Sequence, residues 1–274
     1  MMQRRTFLKA ALFTGLGAAT MNALPTFANT LKKPRLSVQL YSVREAASKD
    51  LAGTLKKIAK MGYDGVEFAG YYGHSPEDIR KMLDDCGLVC SGTHTGIGQF
   101  RGDNFEKTVA IHKTLGTTNM IVPGGINREL HTVAGNKAIA EEFNQIAKKA
   151  AAVGMCFGYH AHGGDATLIE GIPAWERFGS ATNQEVILQM DVGNYMSGGG
   201  DPYKMIEMFP GRAKTVHIKD CGGVPIGTGK VDWDRIWKLC EGIGATEWYV
   251  VEENTPNDLA LIEETYKILK DMGK

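Results

Sequence analysis

The chain repeats one pattern eight times: a short apolar run that ends in polar residues, followed by a segment with helical periodicity. The runs predict strands over residues 35–41, 65–70, 88–94, 119–125, 155–162, 186–193, 213–220 and 248–254. Several of the helical segments close on a glycine that would cap a helix in the left-handed conformation, namely Gly62, Gly87, Gly116, Gly154 and Gly244. Eight such units predict the α/β class and a single closed (β/α)8 barrel. A doubly wound open sheet is the alternative, but it has typically about six strands and a glycine-rich phosphate loop after the first one, which this chain lacks.

Residues 1–28 predict a cleaved export signal. Arg4 and Arg5 precede a weakly apolar stretch from Ala10 to Leu24, and small residues follow near Ala28. This order is typical of a signal peptide, and the paired arginines indicate the twin-arginine pathway. An uncleaved membrane anchor is the alternative, but the stretch is short for a span of about 20 residues. We therefore expect the barrel domain over residues 35–274, in the periplasm or otherwise exported, with no stable membrane span after cleavage.

Composition excludes several classes of partner and site. The 31 Lys and Arg residues balance the 31 Asp and Glu residues, so nothing in the charge indicates nucleic acid or an anionic membrane. The 5 cysteines show no paired metal-binding spacing, and their odd number does not suggest a disulfide framework. We interpret them as reduced thiols.

Polar side chains follow the last four predicted strands. These residues are His160 and His162, Asp191, His217, and Glu252 with Glu253. In a barrel of this kind the carboxyl ends of the strands meet at one mouth, where the chemistry is located. Two carboxylates and two imidazoles at one point would suit one divalent ion such as Mn²⁺, Co²⁺, Zn²⁺ or Fe²⁺. Each residue alone has a simpler explanation, such as a helix cap for Asp191 or a structural hydrogen bond for a histidine. Their joint occurrence favours a metal site, with Glu253 facing away from the axis.

Several motifs resemble those of the xylose-isomerase-like TIM barrels, a superfamily of sugar isomerases and epimerases that also includes inosose dehydratases and endonuclease IV. The resemblance covers the chain after the signal. It rests on "GYDGVEFAG", "HTG", "MDVGN", "GDPYKMIEMFPGRAKTVHIKD", "PIGTGKVDWDRIW" and "YVVEEN".

The resemblance implies one divalent metal ion (Mn, Co, Zn, Fe or Mg) held by Glu, Asp, His and Glu from the last four strands. Carried over position by position, three of these ligands are Asp191, His217 and Glu252, while the first glutamate falls on His160. The surrounding "YHAHGGDA" is similar to a family branch that reads Y-H-N-H-D-F-E-F, with Asp165 in place of the branch's Glu. We therefore interpret His160 as the fourth ligand.

The resemblance also implies roles in proton transfer next to a carbonyl. Glu252 is assigned as the base, with His162 as the alternative base or acid. Lys219 would bind the developing oxyanion, with a solvated rim lysine as the alternative. His94 would contact a sugar hydroxyl. Glu67 would bind substrate or support a loop, with a structural salt bridge as the alternative.

Other aromatic and imidazole side chains are assigned less specific roles. Stacking on a sugar face, or packing under a helix, is the interpretation for Tyr41, Tyr71, Tyr72, Trp233 and Trp248. A surface position away from the mouth is the interpretation for His74, His112 and His131.

The substrate expected from the resemblance is a small sugar or polyol, and the activity is that of an isomerase or epimerase. Replacement of one family glutamate by His160 weighs against a symmetric two-base epimerisation. It leaves ketose–aldose isomerisation, or elimination by a lyase or dehydratase on a 3-keto-sugar or keto-glycoside, as alternatives. A non-catalytic periplasmic sugar-binding or accessory subunit is an alternative of another class. The balanced charge and the export signal weigh against DNA repair, and the sequence leaves homo-oligomerisation open.

Overall fold

Eight parallel strands form a closed barrel in the computed structural model, which describes residues 33–253 and 258–274. The predicted signal peptide lies outside these residues. The barrel strands are β1 (Arg35–Gln39), β2 (Gly65–Phe68), β3 (Val89–His94), β4 (Asn119–Val122), β5 (Cys156–His160), β8 (Val186–Asp191), β9 (Thr215–Ile218) and β10 (Trp248–Val251). β1 pairs with both β2 and β10, which closes the barrel. A small hairpin of β6 (Leu168–Ile169) and β7 (Ile172–Pro173) lies after β5. The predicted (β/α)8 barrel is confirmed.

Helices connect the barrel strands. The α-helices are α1 (Arg44–Lys49), α2 (Leu51–Met61), α3 (Pro76–Cys86), α4 (Asn104–Leu115), α5 (Asn127–Leu130), α6 (Val133–Ala152), α7 (Ala174–Ala181), α8 (Val192–Ser197), α9 (Pro202–Met208), α10 (Trp233–Leu239) and α11 (Leu259–Asp271). Short 3-10 helices cover Leu40–Val43, Ile97–Phe100 and Gly163–Ala166, and a π-helix covers Cys240–Gly244. None of the helices described here is both long and apolar enough to cross a bilayer.

The glycine caps follow the prediction at most positions. Gly62, Gly87 and Gly116 end their helices in the left-handed conformation, and Gly154 also has a positive φ of 77°. The prediction for Gly244 is wrong, because this residue lies inside the π-helix and Ala245 takes the left-handed conformation at φ 55°. The wider π-helical turn moves the end of the helix one residue further along the chain.

The predicted strands extend too far at their carboxyl ends. β5 ends at His160 instead of residue 162, and β9 ends at Ile218 instead of residue 220. The polar residues that follow leave the sheet and enter the loops at the mouth of the barrel. The apolar side chains that face outward from the strands, such as Val38, Val66 and Phe157, pack beneath the helices and are fully buried.

His112 is buried, so its predicted surface position is wrong. It lies on α4 with no exposed surface, and its ring bonds Thr93 Oγ1 through Nε2 (2.5 Å) and the Thr108 carbonyl through Nδ1 (2.7 Å). Because a carbonyl only accepts, Nδ1 carries the proton and Nε2 accepts from the Thr93 hydroxyl. Thr108, His112 and Leu115 are all buried on the same face of the helix.

We expect His112 to make the protein less stable in acid. Burial lowers the pKa of His112, so the unfolded chain binds a proton at a higher pH than the folded chain does. The stability contributed by this neutral ring is therefore present above the unfolded pKa and is lost as the pH falls below it. Urea unfolding of the wild type and of His112→Gln, at about pH 5 and about pH 8, brackets the ordinary imidazole pKa of about 6.5. Only the wild type should lose the histidine contribution at the lower pH, and an identical pH dependence would contradict this.

Candidate metal centre and its buried polar network

Four predicted ligands meet at the mouth of the barrel. His160 and Asp191 end β5 and β8, His217 lies on β9, and Glu252 directly follows β10. One donor atom from each residue lies within 4.8 Å of a donor atom of each of the others. Asp191 and His217 are neighbours in the β8–β9 register, so adjacent strands deliver them at the same height. The structure thus brings together the four side chains that the sequence selected.

His217 is held between two carboxylates. Its Nδ1 lies 2.6 Å from Glu252 Oε2, and its Nε2 lies 2.6 Å from Glu67 Oε2. Burial disfavours a charged ring, but the charge of Glu67 and the hydrogen bonds to both carboxylates outweigh it and raise the pKa of His217 to about 10. The Nε2 proton belongs to the bond with Glu67. The Nδ1 proton faces the cluster and is the one that a metal ion would replace.

His160 presents an unprotonated nitrogen to the cluster. Its Nδ1 bonds Gln189 Oε1 (3.0 Å), while its Nε2 lies 3.7 Å from Asp191 Oδ2. An amide oxygen only accepts, so the proton is on Nδ1 and the lone pair is on Nε2. Burial and the nearby His217 and His94 rings hold the pKa of His160 well below its usual value. The ring is therefore neutral, which is the form that binds a metal.

Asp191 also caps a helix, as the simpler interpretation of this residue predicted. Its Oδ1 accepts from the Asn194 backbone N–H and its Oδ2 from the Asn194 side-chain amide, both at 2.8 Å. Lys219 Nζ lies 3.1 Å from the same Oδ2 and 3.4 Å from Glu252 Oε1. The predicted alternative of a solvated rim lysine is wrong, because the Lys219 side chain is only 3% exposed. Burial lowers the pKa of Lys219, but Asp191 and Glu252 outweigh this and raise it, so the ammonium balances their charge.

Glu67 lies beneath the cluster and has no exposed surface. Its carboxylate accepts from Gln39 Nε2 (2.7 Å), Gln189 Nε2 (2.8 Å) and His217 Nε2 (2.6 Å). Burial alone would raise the pKa of Glu67, but His94 and His217 hold it well below its usual value. These contacts favour the structural ion pair over direct substrate contact. Gln39, Glu67, Gln189 and Thr215 together form the hydrogen-bonded set of side chains beneath the site, which is called the buried polar network below.

A cavity of about 370 Å³ opens above this arrangement and matches a small ligand in size. Its lining residues are Gln39, Tyr41, Ala69, His94, Pro123, His160, His162 and Glu252. The predicted substrate contact His94 therefore lies at the cavity, whereas Glu67 and Lys219 do not line it. Tyr41 lines the cavity too, but Trp233 and Trp248 are buried in packing positions.

The sequence profile of the Xylose isomerase-like TIM barrel family matches residues 55–272. The chain belongs to this family. Among curated proteins, inosose dehydratase of Erwinia tasmaniensis is 28% identical in an alignment that covers 72% of this chain and 80% of that protein. A 3-dehydroshikimate dehydratase of Pseudomonas aeruginosa is 25% identical in an alignment that covers 73% of this chain and 34% of that longer protein.

Solved structures superpose on the same barrel. A sugar phosphate isomerase/epimerase from Parabacteroides distasonis superposes with a TM-score of 0.75 at 25% identity, covering 89% of this chain and 96% of that one. The 3-keto-D-glucoside 4-epimerase of E. coli superposes with a TM-score of 0.61 at 14% identity, covering 88% and 99%. The second likeness concerns the fold alone.

The family implies a metal ion, and the donor set here fits one. Two imidazoles and two carboxylates lie close together, with His160, Asp191 and His217 buried and Glu252 partly exposed. This mixed set of nitrogen and oxygen donors suits a divalent transition metal better than Ca²⁺. His94, His160 and His217 form a second group of donors within the same distance limit. His162 adds an observation that points the same way, because its Nδ1 is buried without a hydrogen-bond partner among the described residues. The family's usual strand-five glutamate is replaced here by an imidazole.

His162 faces the cavity, whereas Asp165 is buried in the loop that carries it. The His162 ring lines the cavity and packs edge-on against His160, with centroids 4.8 Å apart. Asp165 is buried behind it, where its Oδ2 accepts from the His162 backbone N–H (2.8 Å) and its Oδ1 from the Tyr159 hydroxyl (3.3 Å). Asp165 thus shapes the loop that carries His162. Gly198 permits this loop to approach α8, because a Cβ there would lie 1.9 Å from the Gly163 carbonyl oxygen.

The sequence interpretation did not select Gln39, Gln189 or Thr215. Each lies inside an apolar run, and each has no exposed surface. An uncharged polar residue at an inward position of a strand must find partners within the barrel. That requirement was the available signal, and it was not used.

Proposed function

We propose that this chain is a metal-dependent enzyme that removes a proton next to a carbonyl group of a keto-sugar or cyclic keto-polyol and then eliminates water. The observation that carries this proposal is the single carboxylate at the cavity wall. Glu252 is the only acidic residue in the cavity lining drawn from the described residues. Elimination needs one base, whereas symmetric epimerisation uses two carboxylates on opposite faces of the sugar. The sequence likeness to an inosose dehydratase and a 3-dehydroshikimate dehydratase supports the same reaction type.

The chain's own residues supply the remaining parts. His160, Asp191, His217 and Glu252 would hold the ion, which when bound polarises the substrate carbonyl as a Lewis acid. Burial alone would raise the pKa of Glu252, but His217 and Lys219 hold it well below its usual value. The carboxylate is therefore ionised, and it takes the α-proton. Lys219 balances the negative charge that develops on the carbonyl oxygen. Glu252 then returns this proton to the departing β-hydroxyl, which His162 orients by a hydrogen bond, so that water and an unsaturated ketone are formed and Glu252 is again ionised.

A sugar isomerase or epimerase is the second candidate. The likeness to a sugar phosphate isomerase/epimerase at 25% identity supports it, and so does His162 at the cavity wall, which would act as a second base. A non-catalytic sugar-binding subunit is the candidate of another class. The two enzymatic candidates share proton abstraction by Glu252 and differ in whether water leaves. Ultraviolet absorbance of a conjugated ketone therefore distinguishes elimination from isomerisation.

We expect the purified protein to contain about one equivalent of a divalent transition metal and to lose it in both His160→Ala and His217→Ala, because each removes one of four ligands. The matched control is His74→Ala, the same substitution outside both donor groups. Metal content by mass spectrometry, followed by turnover on a panel of keto-sugars and keto-polyols, is the measurement. Metal retained by His160→Ala would remove His160 from the ligand set. Metal without turnover on the whole panel would favour the binding subunit, and a wild type without metal would refute the mechanism.

We further propose that the protein acts after export through the twin-arginine pathway. Arg4, Arg5 and the apolar stretch after them support this. Expression of the full chain and an Arg4→Lys, Arg5→Lys double variant, followed by cell fractionation, tests it. The wild type should appear in the periplasm as a shortened chain, and the double variant should remain in the cytoplasm at full length. Homo-oligomerisation stays a prediction.

A further inference from the structure

We propose that Gln189 is a positioning residue that fixes where the proton lies on the site histidine His160. The inference concerns the buried polar network, and it deepens the proposed function because it says how His160 comes to offer a lone pair to a metal ion. Its structural part, the tautomer of His160, does not depend on metal or on turnover.

All four hydrogen-bonding positions of the Gln189 amide are used. Its Oε1 lies 2.9 Å from His94 Nε2 and 3.0 Å from His160 Nδ1, and its Nε2 lies 2.8 Å from Glu67 Oε1 and 2.7 Å from Thr215 Oγ1. The side chain has no exposed surface, so water does not compete for these bonds. An amide offers two lone pairs on oxygen and two protons on nitrogen, and here every one of them has a partner.

Glu67 decides which way the amide points. Amide oxygen and nitrogen are exchanged by a half-turn of the group, and two histidine nitrogens accept either orientation. The half-turn would place the Gln189 oxygen against the Glu67 carboxylate, which is an acceptor-only group. In a buried setting that contact costs the full penalty of two facing acceptors. The negative charge of Glu67 therefore fixes the amide nitrogen on its own side and the amide oxygen on the side of the histidines.

The orientation of the amide in turn sets the His160 ring. Since Gln189 Oε1 only accepts, His160 carries its proton on Nδ1. The His94 proton lies on Nε2 for two reasons, because this nitrogen faces both Gln189 Oε1 (2.9 Å) and Glu67 Oε2 (3.1 Å). His160 Nε2 is left with a lone pair, and it is the nitrogen that lies toward Asp191. Without this acceptor, the His160 ring would populate two tautomers in each of two flipped orientations. Only one of these four states presents an unprotonated nitrogen to the cluster. Residues that hydrogen-bond a metal-ligating histidine in this way change metal affinity by about 10- to 100-fold.

Residues similar in size to glutamine would not make the same hydrogen bonds at position 189. A glutamate would bring a second negative charge to Glu67, and a methionine, which has a similar length, would neither accept from the rings nor donate to Glu67. The register pairs Gln189 with His160 across β5 and β8, so the contact is built into strand pairing. Gln189→Met is therefore the sharpest variant, and Gln145→Met, on the exposed side of α6, is its matched control.

The experiment uses full-length protein labelled with ¹⁵N-histidine and stripped of metal, at about pH 8, above the ordinary imidazole pKa of about 6.5. Long-range ¹H–¹⁵N correlation spectra report the protonated nitrogen of each ring, and His94→Gln and His160→Gln spectra assign the signals. We expect His160 as the Nδ1–H form and His94 as the Nε2–H form in the wild type and in Gln145→Met. In Gln189→Met we expect the His160 preference to be lost and calorimetric Co²⁺ affinity to fall by about 10- to 100-fold. His94 should keep its proton on Nε2, because this nitrogen also lies 3.1 Å from Glu67 Oε2.

Wild-type spectra with His160 protonated on Nε2 would overturn the proposal, and so would a folded Gln189→Met protein that keeps the His160 tautomer and its Co²⁺ affinity. The wild-type spectrum stands by itself if Gln189→Met does not fold. Failure of the proposed function would look different: the wild type would show the expected tautomers but bind no Co²⁺ or turn over no substrate.

Discussion

Glu252→Gln is expected to lower kcat by about 10²- to 10⁴-fold, the usual contribution of a positioned general base. Glutamine keeps the size of the side chain, and its oxygen still accepts from His217, but it cannot take a proton from the substrate. Because Glu252 is also a proposed metal ligand, kcat must be measured at saturating metal concentration. Exchange of the substrate's α-proton for deuterium in heavy water, followed by NMR, reports proton removal directly. Unchanged exchange in the variant would move the base to His162.

Glu253→Gln is the matched control, and it should leave kcat unchanged. Glu253 is the next residue along the chain but faces away from the barrel axis, where its Oε1 accepts from Thr265 Oγ1 (2.9 Å).

Burial raises the pKa of Glu253 to about 7, so the folded chain holds this proton to a higher pH than the unfolded chain does. Stability therefore falls as the pH rises from about 4.3 through about 7. Urea unfolding at alkaline pH should show Glu253→Gln to be more stable than the wild type by about 2 kcal/mol.

Glu67→Leu is expected to lower the free energy of unfolding by about 3–5 kcal/mol, the usual cost of removing one partner from a buried ionic network. The substitution would leave donors on His217, Gln39 and Gln189 without an acceptor in a region closed to water. Because the pKa of Glu67 is lowered in the folded chain, its stabilising contribution is present above the unfolded pKa and is lost as the pH falls through that range.

Glu142→Leu is the comparison for that result. Glu142 pairs with Arg101 at 2.6 Å, but this ion pair is exposed to solvent, and such pairs contribute about 0–1 kcal/mol. Chemical denaturation of both variants at neutral pH is the measurement. If Glu67→Leu lowered the free energy of unfolding no more than Glu142→Leu does, the buried polar network would not stabilise the fold.

Much of the fold and of the candidate metal centre could be predicted from the sequence because both depend on local patterns. Alternation within the strands and helical periodicity between them indicate strand–helix units, and closure of eight units carries their carboxyl ends to one mouth. His160, Asp191, His217 and Glu252 were selected for that reason, and their donor atoms do lie together. The errors fall where a pattern stops, as at the carboxyl ends of β5 and β9 and at the π-helical turn before Ala245.

Local patterns do not predict the role of Glu67 or the partners of Gln189. The register between β2 and β3 shifts at Val66 and Glu67, and Gly92 on β3 leaves room for the carboxylate, since a Cβ there would lie 3.1 Å from Glu67 Oε1. His112 was misplaced for a related reason, because its partner Thr93 comes from another element.

The sequence by itself determined the order of strands and helices, the residues at the strand ends and hence the composition of the candidate metal centre. Only the tertiary structure decided which groups each histidine nitrogen faces, where Lys219 lies, and that Glu67 supports the site from below. The physical reason is the range of the interactions. Secondary structure follows from neighbours along the chain, whereas a buried hydrogen-bond network joins side chains from six strands, and their distances exist only once the barrel has closed.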